Sequence, residues 1–359
     1  MDIRSKILWW AVKRRVARDG CKVIAVGGAI AKTSTKTAIG TLLKLEFPGD
    51  VRVGYGNLNS YLGVPLSVLG FQIDFYERPI RLGWVVILFK AVWRGLFVRL
   101  PRYLVLEYGT DHPGDIAAIV AQLPPDVGVI TIVGPAHLAN YPSVDEMVKD
   151  EGFIAAGTKP DGLLLVNSSD SYLTNHHQRA KAKVINVVCS LEEIAIKFME
   201  AFGRTLKISP EIIQEAKDDF VSPARRFEYQ HIGPFQVIDD SYNASPLAVK
   251  AALHLLKQMP APRIAILGAM RELGSTSVAL HQEVGLYAKD YADTIIGVGE
   301  EAQAYNADFW FETADEAAEK ILSHLPDRGS MLIKGSKSVH MEKVTEAIRR
   351  HYQPNNHQQ

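Results

Sequence analysis

Lys32 and Thr33 are the residues of this sequence best placed to do chemistry. An apolar run, Val23-Ile24-Ala25-Val26, breaks into Gly27-Gly28-Ala29-Ile30-Ala31. Lys32-Thr33-Ser34-Thr35-Lys36-Thr37 then reads as the start of a helix. Strand, tight turn and helix N-terminus in that order make a phosphate-binding loop. Backbone N–H groups and the helix dipole face the anion, the Lys adds a positive charge, and the Thr hydroxyl is a ligand for Mg²⁺. Ser34 and Thr35 read as N-terminal donors rather than catalysts. The alternative is a Thr-capped helix with no ligand. One position is unusual: the glycine expected just before the Lys is Ala31.

Three further strings carry polar residues at strand ends. Tyr103-Leu104-Val105-Leu106-Glu107 is an apolar strand ending in an acid. Ligands sit at the carboxyl ends of strands in open α/β sheets, which places Glu107 to hold or orient Mg²⁺ opposite the loop. Acids also end strands with no ligand. Val129-Ile130-Thr131-Ile132-Val133-Gly134-Pro135-Ala136-His137 puts a His just past another strand, where metal or phosphate contact and an ordinary loop His are equal alternatives. Val237-Ile238-Asp239-Asp240-Ser241-Tyr242-Asn243-Ala244-Ser245-Pro246 is the most distinctive: two acids, an aromatic, an amide and a helix-starting Pro. Carboxylates there suit a ribose, and the amide and aromatic suit a base. By composition alone it is a polar strand end.

The elements that must position these residues alternate between strand and helix along most of the chain. That pattern predicts parallel sheets covered by helices. Strands are expected at 22–27, 102–108, 127–132, 162–166 and 183–188, and again at 235–239, 263–268, 294–298 and 330–333. A helical stretch near 190–217 and the string Ser222-Pro223-Ala224-Arg225-Arg226 separate the two series, so a domain boundary is expected near 224. The divisions are 1–20 as an amphipathic lead-in helix, 21–223 as one domain and 224–359 as another. The tail 354–359 reads as frayed.

Composition bounds the rest. With 359 residues, 47% hydrophobic and 22% charged, the chain is an ordinary globular protein of two domains. Net charge is zero, yet residues 1–105 hold 17 Lys/Arg against 6 Asp/Glu. That asymmetry suits phosphates or a membrane surface; no nucleic-acid partner is expected. Cys21 and Cys189 give no disulfide framework or zinc spacing, which fits a reduced cytoplasm. Leu8-Trp9-Trp10-Ala11-Val12 is too short for a signal peptide. Segment 80–100 is apolar, aromatic and interrupted by Lys90, Arg94 and Arg99, which argues against a membrane span. Two readings stay open for it: a helix packed on its own domain, or an interfacial helix that gives peripheral membrane contact.

Taken together, the strings resemble the Mur ligase family, ATP-dependent amide-bond ligases of cell-wall assembly. Lys32-Thr33-Ser34-Thr35-Lys36, Asn57-Leu58-Asn59 with Gly63-Val64-Pro65-Leu66, Leu106-Glu107 with His112-Pro113-Gly114-Asp115, and Gly134-Pro135-Ala136-His137 come in family order. Asp239 to Pro246, Leu267 to Gly274, His281-Gln282-Glu283-Val284-Gly285 and Lys334-Gly335-Ser336-Lys337 follow, so the resemblance spans roughly residues 20–350. It implies a central P-loop-type ATPase domain with a mostly parallel sheet and a C-terminal Rossmann-like α/β domain. It leaves no room ahead of the loop for the family's UDP-binding domain. It also implies ATP and Mg²⁺, an acyl phosphate, and addition of a D-alanyl-D-alanine-like dipeptide to a small-molecule cell-wall precursor. By the same resemblance Gly28, Ala31, Lys32, Thr33 and Ser34 hold phosphates; Thr33, Glu107 and His137 hold metal. Asn243 and His281 lie at the adenine, Asp239 or Asp240 nearer the ribose or amine, and Arg225 at the domain junction. Lys334, Ser336 and Lys337 face the incoming dipeptide.

The chain departs from the family pattern where nucleotide and metal would sit. Ala29 and Ala31 replace a Ser and a Gly, Ala224 a Gly, Ala269 an acid and Lys337 an Arg. Glu151 stands where the family has a carbamylated lysine. It is either a shorter carboxylate serving in the carbamate's place, making it catalytic with Lys32, His137 and Lys334, or a mark of lost reaction. The competing expectations are therefore an active ligase and a catalytically impaired, nucleotide-binding or scaffold relative. A polyglutamate-forming ligase is the third, and Tyr242-Asn243-Ala244-Ser245-Pro246 argues against it.

Overall fold

The computed structural model describes residues 2–56, 58–73, 81–134 and 138–353, with backbone only at 81, 82 and 138. Asn57, His137 and the tail 354–359 lie outside the described residues. The chain forms two units, one of residues 1–134 and 141–221, the other of residues 222–359 with a short segment around Leu138–Asn140.

The first unit is built on a six-stranded sheet. Its strands are β1 (Lys22–Gly27), β2 (Val51–Val53), β3 (Tyr103–Glu107), β4 (Val127–Ile130), β5 (Leu163–Asn167) and β6 (Lys183–Val187), in the order β2-β3-β1-β4-β5-β6. Every pairing is parallel. Both faces of such a sheet are covered by helices, so central strands are apolar throughout. β3 is buried along its whole length, and so is β1 after Lys22. Chain order reverses across β1, which leaves a crevice at its carboxyl end. The register sets Val26 against Glu107 on one side and Gly27 against Ile130 on the other. β4 stops at Ile130, two residues short of the expected end. Just past Ile130 the Thr131 N–H still donates to the Gly27 carbonyl at 3.1 Å, and its one hydroxyl proton lies between the carbonyls of Gly27, at 3.0 Å, and Ile30, at 2.6 Å.

The second unit repeats the principle with β7 (Glu228–Ile232), β8 (Phe235–Asp240), β9 (Arg263–Gly268), β10 (Thr294–Val298), β11 (Phe309–Phe311) and β12 (Gly329–Lys334). The order is β11-β10-β9-β12-β8-β7, parallel except for the antiparallel hairpin of β7 and β8. Its core is its own: Val237, Ile238, Ile266, Leu332 and Ile333 of the sheet pack with Leu253, Leu256 and Val284 of the covering helices.

The lead-in helix packs on the first unit. Helix Ile3–Asp19 buries Leu8, Trp9, Ala11 and Val12 in the first unit. Segment 80–100 forms helix Arg81–Phe97, whose Gly95 lies against Ala11. No described helix is long and apolar enough to cross a membrane. Both cysteines are free and buried, and burial pushes each thiol up to about 11, which disfavours the thiolate.

Candidate functional site

The loop after β1 is shaped by one glycine and one strained alanine. Gly28 has φ 114°, and a Cβ there would lie 2.3 Å from the Thr131 hydroxyl oxygen, so only glycine fits. Ala31 precedes helix Lys32–Glu46 with φ 58° and ψ 12°, the left-handed region. A Cβ is disfavoured there by about 1–2 kcal/mol. Ala31 also supplies no side-chain cap. The first N–H groups of a helix have no intrahelical acceptor. With the dipole behind them, those of this helix make an uncapped anion site facing the crevice.

Around that loop the structure gathers residues far apart in sequence. The Thr33 hydroxyl donates to Glu107 Oε2 at 2.8 Å. Asn59 Nδ2 donates to Glu107 Oε1 at 2.9 Å, and the Lys36 ammonium lies 3.6 Å from Oε2. Lys36 also donates to the Gly56 carbonyl at 2.8 Å. Glu107 is therefore held by a hydroxyl, an amide and a cation; Thr33, Lys36 and Glu107 itself are buried and Asn59 is half-buried. Lys32 donates to the Gly28 carbonyl, which folds its ammonium back over the loop. Glu151, the last residue of helix Val144–Glu151, is buried, and its Oε2 accepts the Gly28 N–H at 3.0 Å. A carboxylate thus already binds one N–H of the loop meant for anions. Sequence reasoning assigned no role to Asn59, Lys36 or Thr131. The available signals were the Asn57-Leu58-Asn59 string for Asn59 and, for Lys36, its place a single helical turn after Lys32 and so on the same face.

The donor set fits a hard divalent cation. Mg²⁺ is held by one or two carboxylates, hydroxyls, waters and phosphate oxygens rather than by a closed protein cage. Thr33 and Glu107 meet that description, and the described residues hold no cluster of three or more His, Cys, Asp or Glu. The expected His137 ligand lies outside the described residues.

At the carboxyl ends of the second sheet, Asp240 and Lys334 are register partners and form a buried ion pair. Burial raises the Asp240 carboxyl above its ordinary value, with Lys334 opposing the shift. Lys334 Nζ also donates to the Asn243 carbonyl at 2.8 Å. Asp239 is buried and accepts the Ser241 N–H at 3.0 Å; Asn243 is exposed, its Oδ1 accepting the Ala244 N–H. Arg225 is half-buried with φ 59° and pairs with Glu342 at 3.0 Å. Ser336 Oγ accepts the Arg271 N–H at 2.8 Å.

His281 lies in helix Ser277–Ala288. It is fully buried: Nε2 accepts the Met270 N–H at 2.9 Å and Nδ1 faces the Ser277 carbonyl at 2.7 Å. Both ring nitrogens are committed, so the side chain holds the turn after β9. Burial lowers its pKa, which keeps the ring neutral. Lys334 is likewise held by Asp240 rather than extended toward solvent.

Residues 96–217 match the Mur ligase middle domain, and residues 225–356 match the Mur ligase glutamate ligase domain. The chain belongs to the Mur ligase family. A UDP-N-acetylmuramoyl-tripeptide–D-alanyl-D-alanine ligase of Rickettsia prowazekii (strain Madrid E) is 25% identical to this Mur ligase, over 90% of its chain and 77% of the relative. The Escherichia coli (strain K12) ligase of the same name is also 25% identical, over 91% and 76%. MurF from Acinetobacter baumannii shares the fold of this Mur ligase with a TM-score of 0.81 at 24% identity, covering 97% of this chain and 81% of that one. MurF ligase from Thermotoga maritima, solved in complex with ADP, gives 0.80 at 20% identity, covering 98% and 84%.

Proposed function

We propose that this chain is an ATP-dependent carboxylate–amine ligase. In this reading it adds a D-alanyl-D-alanine-like dipeptide to a carboxylate of a small-molecule peptidoglycan precursor, through an acyl phosphate. The observation that carries the reading is the Thr33–Glu107 pair set against an uncapped helix N-terminus at the crevice of a parallel sheet. The two curated relatives, named as ligases of that dipeptide, point to the same substrate class.

The residues divide the work by position. The loop N–H groups and Lys32 bind phosphate oxygens and neutralise their charge; Lys32 needs only a side-chain rotation away from the Gly28 carbonyl. Thr33 and Glu107 would hold Mg²⁺, which supplies charge neutralisation across the phosphates when bound. Asn59 and Lys36 fix the Glu107 carboxylate so that both its oxygens keep one orientation. Asp240 and Lys334, with the backbone at Asn243, order the strand ends where we place the amine substrate. Glu151 orients the loop through the Gly28 N–H and adds a negative charge beside the phosphate positions.

A second reading, a catalytically impaired nucleotide-binding or scaffold protein, is favoured by two observations: Ala31 in the left-handed region, and Glu151 on a loop N–H. Titration calorimetry with Mg-ATP, followed by ADP release on adding carboxylate and dipeptide, decides between them. For the ligase, binding and turnover are both expected, and Thr33→Ala or Glu107→Gln should each lower turnover by about 10²–10³-fold. Binding without turnover would establish the impaired reading. No binding at all would sink the ligase and the nucleotide-binding relative, and leave the scaffold.

The place of action we assign is a cytoplasmic membrane surface, reached by peripheral contact. Helix Arg81–Phe97 turns Ile87, Ala91 and Gly95 inward and leaves Val85, Val86, Phe89, Trp93 and Phe97 exposed on the opposite side. A continuous apolar stripe of that kind on a helix with basic residues is the pattern of an interfacial helix.

A further inference from the structure

We infer that the arginine-lined cavity between helices Ile3–Asp19 and Arg81–Phe97 is a binding site for the phosphate headgroup of an anionic lipid. The inference rests on the membrane reading above and gives that surface a specific ligand. Arg14, Arg15, Arg18 and Arg99 line a cavity of about 580 Å³ at the carboxyl ends of both helices. Asp19 is the one acid on its wall, which leaves the lining net positive by three.

That acid is already in use. Asp19 Oδ2 accepts the Leu100 N–H at 2.8 Å and pairs with Arg15 at 2.7 Å. Arg15 is only 4% exposed, and its Nε has no hydrogen-bond partner among the described residues. A buried guanidinium N–H without an acceptor is costly. Arg14, Arg18 and Arg99 are exposed, and no ion pair engages them among the described residues. A planar fork of N–H donors matches the paired oxygens of a phosphate as it does those of a carboxylate.

The apolar part of the wall identifies the source of the phosphate. Phe97 lines the same cavity, is 66% exposed and stacks obliquely on Trp93 at 4.6 Å between ring centroids. Trp93 and Phe89 continue the exposed stripe at four-residue spacing, 54% and 71% exposed. Cationic cavity and apolar stripe are thus one surface. A free phosphate would use the arginines and leave the aromatics in water. A lipid uses both, with the headgroup among the guanidiniums and the acyl chains along Phe89, Trp93 and Phe97.

Flotation of the full chain with liposomes tests this. One preparation is phosphatidylcholine alone; the other contains about one third phosphatidylglycerol. The chain is expected to float with the second and not with the first. Replacing Arg14, Arg18 and Arg99 by Ser should weaken binding by about five-fold per residue. The triple variant Arg14→Lys, Arg18→Lys, Arg99→Lys keeps the charge and loses the forks, so a loss of most of the floated fraction is expected there too. All three positions are exposed, and thermal melting confirms that the variants fold. Unchanged flotation of the lysine variant would overturn the headgroup site while leaving the membrane reading intact, with Phe89→Ser and Trp93→Ser as the variants that then abolish binding. Failure of the parent chain to float with either preparation would overturn both. Inorganic phosphate binding that the lysine variant loses, without flotation, would assign the cavity to a free anion and overturn the lipid. A dimer in sedimentation velocity that Trp93→Ser dissolves would give the stripe to a second copy and overturn it as well.

Discussion

At the scale of single residues, Ala31 carries the clearest tension. Its neighbours demand a left-handed turn at the loop's exit, and the side chain resists it. Ala31→Gly should remove about 1–2 kcal/mol of steric cost and return about 0.5–1 kcal/mol as unfolded-state entropy. The net expectation is a small stabilisation, read as a higher denaturant midpoint with unchanged slope, and tighter Mg-ATP binding because the crowding Cβ is gone. A lower midpoint would mean that the methyl group packs usefully. The sequence alone exposed this position, since a missing glycine in a glycine-dependent turn is visible without coordinates. It did not expose what Glu151 does. That carboxylate meets the Gly28 N–H across 123 positions of chain, and no local pattern encodes a contact of that range.

At the scale of elements, the chain's alternating pattern gave nine strands with ends within two residues of those observed. The three it missed all lie at sheet edges. β2 and β11 are three-residue edge strands, and β7 carries the polar string Glu228-Tyr229-Gln230-His231-Ile232 with only its last residue buried. Val51-Arg52-Val53 and β7 lack the continuous apolar run that marks a central parallel strand, and Phe309-Trp310-Phe311 is apolar but too short to read as a strand. The packing of segment 80–100 was legible only as two alternatives, because periodicity shows that a helix has two faces and not what each face meets. Gly95 now decides one of them. A Cβ there would lie 2.7 Å from Ala11 Cβ and 2.9 Å from Ala11 Cα. Gly95→Val should therefore cost about 1–3 kcal/mol by overpacking the two helices, measured by thermal unfolding. No loss would mean that the helices stand further apart than described.

His281 sets a pH dependence at the same scale. Its folded pKa lies below the ordinary value of about 6.5. Above that value folded and unfolded rings are both neutral, and the stabilisation is fully present. As pH falls through 6.5 the unfolded chain takes up a proton that the buried ring still refuses, so stability is lost until the folded pKa is passed. Melting temperature should drop between pH 7.5 and 5.5, and more steeply than in His281→Gln, which keeps an acceptor for the Met270 N–H without a titrating ring. Equal slopes for the two proteins would show that the ring titrates as freely as it does in solution.

At the scale of the whole molecule, each unit has its own sheet and its own apolar core, which makes separate unfolding the expectation. The five tryptophans report this unevenly: Trp9, Trp10, Trp84 and Trp93 belong to the first unit, and Trp310 alone to the second. In a Trp310→Phe background, fluorescence follows the first unit only, while calorimetry follows both. Leu332 is fully buried at the centre of the second sheet, and truncation to Ala should cost that unit about 2–5 kcal/mol. The expected result is a calorimetric component that moves down in temperature while the fluorescence transition stays in place. Leu165→Ala, equally buried in β5, should do the reverse and move the fluorescence transition. If Leu332→Ala shifts the fluorescence transition as far as the calorimetric one, the two units melt as a single cooperative body. The strain at Ala31 and the titration of His281 would then be felt across the entire chain rather than in one half of it.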